Sequence, residues 1–96
     1  SKAMRTPWGT ADYITDIGQG VLSVGTPSHG GFHVPKALLH RIPAEGQEYA
    51  ERWSGSAQWY EEDCAWAYVA LALPEFFSDE DREHAKSTLG WLEGLH

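Results

Sequence analysis

Thr26-Pro27-Ser28-His29-Gly30-Gly31-Phe32-His33 gathers two imidazoles, two hydroxyls and two adjacent glycines into eight residues of a 96-residue chain. His29 and His33 are four apart, the spacing of two zinc ligands on a helix. Gly30-Gly31 disfavours a helix there, so the pair would have to be presented by a turn and a strand. A third ligand would come from His40, Glu61, Glu62 or Asp63. No cysteine pair and no H-E-x-x-H pattern accompanies them, so neither a metal nor a cofactor is assigned. Ser28 and Thr26 beside His29 suggest a nucleophile and its base, but neighbouring residues rarely bring their side chains within mutual reach. The hydroxyls are read instead as caps of the turn. If the chain is an enzyme, a small hydrolase or metal-assisted one, its catalytic set is His29, His33, Glu61 and Glu62, a carboxylate orienting an imidazole as general base. The two glycines also offer N–H groups to a phosphate, with Lys36 as the nearby cation.

A second concentration is Trp59-Tyr60-Glu61-Glu62-Asp63. Two rings beside three acids suit a recognition surface, aromatic anchors next to acceptors for arginine or lysine. They equally suit an amphipathic helix with buried rings and solvated acids, and both readings stay open. Residues 1–43 carry four bases against two acids; residues 44–96 carry three bases against twelve acids, so the acidity that gives the chain its net charge of −7 lies in the second half. Such a field repels a phosphate backbone and excludes direct nucleic-acid binding as an expectation. A basic protein surface is the complementary partner. The candidate protein-binding residues are Trp59, Glu61, Glu62, Asp63, Asp79, Glu80, Asp81 and Glu83. The alternative is that the acids keep an aromatic-rich protein in solution.

These groups need elements to hold them. Tyr13-Ile14-Thr15-Asp16-Ile17 alternates apolar and polar, the period of a half-buried strand. Gly18-Gln19-Gly20 predicts a hairpin turn, and Val21-Leu22-Ser23-Val24 the returning strand. Gly31-Phe32-His33-Val34 predicts a third strand, and Trp8-Gly9 an added edge or a cover for one end. After Pro35 a short helix is expected over Lys36–Ile42, stopped by Pro43. A second is expected over Ala44–Trp53, with Glu48 and Arg52 as an i,i+4 pair and Tyr49 and Trp53 on one stripe. Trp59–Leu73 carries the strongest helical pattern, with Tyr60, Cys64, Ala67 and Leu71 on one face. In that reading Cys64 is packed mid-helix, and Glu61, Glu62 and Asp63 occupy the first turns, where the dipole favours acids. Ser78-Asp79-Glu80-Asp81 has the form of a capping box, opening a helix to about Leu92 that buries Ala85, Leu89 and Leu92. The expected fold class is α+β, a small antiparallel β-meander in the N-terminal half packed on three to four helices.

The length suits one domain with one modest core. Five tryptophans, four tyrosines and three phenylalanines supply much of it, since each ring buries roughly 150–250 Å². The single compact domain is expected over 4–96, with Ser1-Lys2-Ala3 read as a vector scar. The chain has no long apolar run and no basic-then-apolar leader, which excludes a membrane span or signal peptide as an expectation. One cysteine fits a reducing cytoplasm.

Taken in order, Trp8-Gly9, Thr26-Pro27-Ser28-His29-Gly30-Gly31-Phe32 and Trp59-Tyr60-Glu61-Glu62-Asp63-Cys64-Ala65-Trp66 resemble a family of small uncharacterised domains encoded on phages, plasmids and other bacterial mobile elements. The resemblance spans roughly residues 7 to 92. It implies a genomic setting more than an activity. Compact acidic proteins of mobile elements resemble one another as inhibitors of host defence, including anti-CRISPR and anti-restriction proteins, and some act as DNA mimics. By that analogy the expected function is to bind and inhibit a host defence complex, on a basic subunit that handles nucleic acid. A regulatory domain for a protein encoded beside it is a further alternative.

Overall fold

Asp16 begins the first reversal of the main sheet: its Oδ1 accepts the Gly18 N–H at 2.8 Å. Gly18, Gln19 and Gly20 then all adopt positive φ, at 146°, 49° and 84°. Glycine is indifferent to that region and glutamine is not, so the turn holds one strained residue between two relaxed ones. The computed structural model describes residues 3–93; Ser1 and Lys2 of the expected scar lie outside the described residues, as do residues 94–96. The reversal joins β3 (Tyr13–Gly18) to β4 (Val21–Gly25), and β5 (Gly30–His33) follows as the meander expects. Upstream, β1 (Arg5–Thr6) and β2 (Gly9–Thr10) form a two-stranded hairpin with Trp8 at its turn.

The fourth strand of the main sheet corrects the sequence reading. Trp59–Glu61 is β6, paired antiparallel with β5 through Gly31↔Glu61, Phe32↔Tyr60 and His33↔Trp59, so the strongest helical pattern does not begin with a helix. Tyr60 points into the core and is fully buried, while Trp59 and Glu61 project to the other face. The i,i+4 pattern from Tyr60 and the alternation around it predict the same inward residue, and the exposed ladder of β5 decides between them. The sheet order is β3-β4-β5-β6, which confirms an α+β fold whose last strand comes from the C-terminal half.

Lys36–Arg41 forms a 3-10 helix rather than an α-helical turn. Helix α1 (Ala44–Ser54) ends on Gly55 in the left-handed region, whose N–H reaches Glu51 O, and it packs along β6. Helix α2 (Trp66–Ala72) is short, and Trp66 to Ala70 are all buried. Helix α3 (Asp79–Glu93) starts as the capping pattern predicts, with the Asp81 N–H on Ser78 Oγ at 3.1 Å. Ala85 is fully buried on it, and Leu89 and Leu92 are half-buried. The core joins Val21 and Tyr60 from the sheet, and Val34 just after β5, to Val69 and Leu73, with Phe32 and Phe77 in edge contact beside them. Strand β3 lies at the outer edge of the sheet, while α2 covers β5 and β6. Tyr13, Ile14, Thr15 and Asp16 are therefore exposed rather than alternately buried. No helix among the described residues is long and apolar enough to cross a membrane.

Ion pairing differs from the expectation too. Among the described residues the salt bridges are Arg41–Glu75, Arg82–Asp79 and Lys86–Glu83; Glu48 and Arg52 do not pair. Arg41 grips Glu75 through two nitrogens, at 2.6 and 2.9 Å, and donates to Ala72 O at 3.0 Å. The bonds from Arg41 draw the Glu75 carboxyl down to about 2. A lowered folded value means the pair stabilises above the ordinary carboxylate range and stops doing so as pH falls towards 2. Arg41→Met is expected to lose this component, so its urea midpoint should fall less than that of the parent between pH 4.5 and about 2.

Candidate functional site

Strand pairing decides which of the chemical residues meet. His29 immediately precedes β5, so His29, Gly31 and His33 project to one face of the sheet. Gly31 pairs with Glu61 across the ladder and Gly30 with Gly25. The Glu62 N–H donates to Gly30 O at 3.0 Å, and the Gly30 N–H donates to Glu62 Oε2 at 2.9 Å. The histidine turn and the acidic block are thus neighbours, but the acid engages the backbone and not an imidazole. A carboxylate also stands where a phosphate cradle would need an anion, which rules the Gly30 N–H out of that role.

Within the turn the hydroxyls do structural work. Thr26 Oγ1 donates to His29 O at 2.7 Å and accepts the His29 N–H at 3.1 Å. Ser28 Oγ lies 3.4 Å from Trp8 O. Neither hydroxyl is bonded to an imidazole, so the cap reading holds and the nucleophile reading loses its base.

His29 and His33 do not form a ligand pair. Four extended residues separate their Cα atoms by about 13 Å. The Trp8 ring fills the space over Gly31 between them: a Cβ built there would sit 2.5 Å from the indole. Trp8 in turn meets Trp59 edge-on, with centroids 5.7 Å apart, and the His33 ring lies 4.5 Å from Trp59. Gln58 Nε2 donates to Val34 O at 3.0 Å and stands 3.4 Å from His33 Nε2. With that amide as donor, His33 Nε2 accepts and Nδ1 carries the proton. Nδ1 is buried with no partner among the described residues. Burial lowers the His33 pKa, so its charged form is disfavoured. No group of three or more His, Cys, Asp or Glu side chains among the described residues is placed to hold a metal, and His40 sits apart on the 3-10 helix.

The acids divide by position. Glu61 folds its carboxylate over the turn that follows β6. Its oxygens accept N–H bonds from Asp63 at 2.6 Å, Cys64 at 3.0 Å and Ala65 at 2.6 Å. Both oxygens are thus held by the backbone, and neither is bonded to an imidazole. These bonds replace the helical first turns expected at this position. Cys64 therefore lies half-exposed in a turn before α2 rather than packed mid-helix. Glu62 and Asp63 are exposed. Asp79, Glu80, Asp81 and Glu83 open α3 beyond the far end of α2, so the two acidic groups occupy opposite ends of that helix. Asp79 and Glu83 there are already engaged by Arg82 and Lys86.

One cleft collects much of this chemistry. It encloses about 350 Å³ and is lined by Trp8 from the β1–β2 hairpin, His29 from the glycine turn, and Tyr49 and Trp53 from α1. Glu61, Asp63 and Cys64 complete it from the turn after β6. Trp53 is 64% exposed and packs on Tyr49 at 6.3 Å between centroids. Burial, with Cys64 and Glu61 nearby, pushes the Tyr49 phenol up, so it stays neutral. Tyr49 and Trp53 share the stripe expected of α1, and their spacing in the sequence marks no site. Trp8 was expected only as part of an added edge or a cover for one end, because its partners are 23 and 51 residues away in the chain.

No curated protein and no solved structure matches this chain. A family does match, over residues 1–92, and that span contains the β1–β2 hairpin, the glycine turn, α1 and the turn after β6. All the elements that line the cleft thus fall inside the matched region, and the chain belongs to the family described as Domain of unknown function (DUF7007).

Proposed function

We propose that this protein is a small acidic binding module that docks on a basic protein surface and, in a mobile-element setting, inhibits a host defence complex of the anti-CRISPR or anti-restriction kind. The observation that carries the reading is the cleft in which Glu61 and Asp63 stand beside the exposed Trp53 with no lysine or arginine among the lining residues. Exposed tryptophan next to unpaired carboxylate is the chemistry of an interface anchor and its charged surround. The acids at the start of α3 extend the negative field and steer a basic partner towards it.

His29 and Glu61 sharing that cleft favours a hydrolase as the second reading. It is the weaker one chemically, because Glu61 spends its oxygens on three backbone N–H groups.

Capture from host lysate on the tagged protein, at low and high salt, tests the binding reading. A basic nucleic-acid-handling protein, released as salt rises, is the expected capture. Glu62→Lys with Asp63→Lys should weaken that complex by about tenfold or more. Asp79→Lys, Glu80→Lys and Asp81→Lys together should weaken it and flatten its salt dependence. Unchanged binding in both sets would sink the acidic surface as the docking site.

A further inference from the structure

We infer that the cleft between the β1–β2 hairpin and α1 receives one arginine side chain of the partner, an inference that rests on the reading of this chain as a protein-binding module. Three aromatic rings, Trp8, Tyr49 and Trp53, and two carboxylates, Glu61 and Asp63, converge on about 350 Å³. That space is ample for a guanidinium and its methylene stem. Aromatic faces attract a cation through their quadrupole, and a planar guanidinium stacks on them as an ammonium does not.

The two carboxylates divide the work. Glu61 is immobilised by Asp63, Cys64 and Ala65 and contributes a fixed negative charge. The Asp63 side chain is exposed and has no partner among the described residues, so both its oxygens are free to accept a forked pair of N–H groups. Charge complementarity argues for the occupant. Arg41, Arg82 and Lys86 are committed to Glu75, Asp79 and Glu83, and none of them lines this cleft.

Two of the rings, Trp8 and Tyr49, are held before any ligand arrives, Tyr49 by Tyr68 at 6.0 Å between centroids. Trp8 is braced edge-on by Trp59 and seated over Gly31, and Trp53 leans on Tyr49. Preorganised rings lose little freedom on binding.

The test is a titration of the isotopically labelled protein with the peptide acetyl-Gly-Gly-Arg-Gly-Gly-amide, followed by NMR at the Trp8 and Trp53 indole N–H groups and the Asp63 amide. Peptides with citrulline or lysine in place of arginine are the controls. The arginine peptide is expected to produce saturable shifts at those three positions, with citrulline giving none and lysine binding more weakly. Trp53→Ala and Asp63→Asn, both at exposed positions, should each weaken binding by about tenfold. An absent response, an equal response to citrulline or lysine, or shifts confined to residues 79–83 would overturn the assignment. Capture of a basic partner with a silent titration removes the arginine site and leaves the acidic surface standing. A successful titration with no basic partner captured upholds the arginine site and removes the wider docking surface.

Discussion

Gly31→Ala is expected to cost roughly 3 kcal/mol, at the upper end of the penalty for overpacking, and to lower the melting temperature by on the order of 15 °C. A Cβ at position 31 would stand 2.4 Å from Tyr60 O and 2.5 Å from the Trp8 ring. The second contact has some room to relax, because a side chain can turn. The first does not, because Tyr60 O belongs to the ladder that joins β5 to β6, and Tyr60 is fully buried. Relief therefore requires the two strands to separate, which also displaces Trp8 from the cleft. Gly25→Ala is the discriminating control. Its Cβ would meet only the Tyr13 ring at comparable range, 2.0 Å, and that side chain is 56% exposed and free to swing into solvent. The Gly25 variant should lose less than about 1 kcal/mol. Thermal unfolding by circular dichroism measures both, and equal losses would show that crowding at the β5–β6 ladder is not what position 31 enforces.

That contrast also explains how much of the molecule was legible in advance. The β3–β4 hairpin was, since Gly18 and Gly20 are local devices with local consequences. The α3 start was as well, because Ser78 and Asp81 meet within one turn. The fourth strand was not. Trp59-Tyr60-Glu61 satisfies a helical stripe as well as a strand, and what separates them is the ladder of β5, some thirty residues earlier in the chain. The exposure of Tyr13 and Ile14 was hidden for the same reason, because alternation predicts two faces but not whether a helix layer reaches the edge strand. At the site, the acidic block and the glycine turn were each visible as chemistry, and only the enzyme reading anticipated that they meet, as a carboxylate on an imidazole. The contact made is Glu62 on the Gly30 N–H instead, because sequence does not reveal that the backbone would claim the carboxylates first. Trp8 and Trp53 illustrate the remaining gap. A cleft made from a hairpin, a helix and a turn exists only once long-range packing has brought three separate segments together.

Glu61→Ala is the second large effect, and it follows from that claim on the carboxylate. Removing the side chain strands the N–H groups of Asp63, Cys64 and Ala65 at once. Asp63 is exposed and rehydrates readily, Cys64 is half-buried, and Ala65 is fully buried. A stranded buried donor costs about 1–3 kcal/mol and a hydrated one far less, so the total loss should be roughly 2–3 kcal/mol. Glu61→Gln should fall between the parent and the alanine variant. Its amide keeps one oxygen for the N–H groups but turns an NH₂ towards the rest, where donor faces donor. Glu62→Ala removes one acceptor from the exposed Gly30 N–H and should stay within about 1 kcal/mol of the parent. Urea unfolding ranks the three variants, and amide exchange at Cys64 and Ala65 locates the damage. A Glu61→Ala variant as stable as Glu62→Ala would mean that solvent replaces the carboxylate in this turn. The three bonds would then be worth little to the fold, and the hydrolase reading would lose the objection that Glu61 is committed to the backbone.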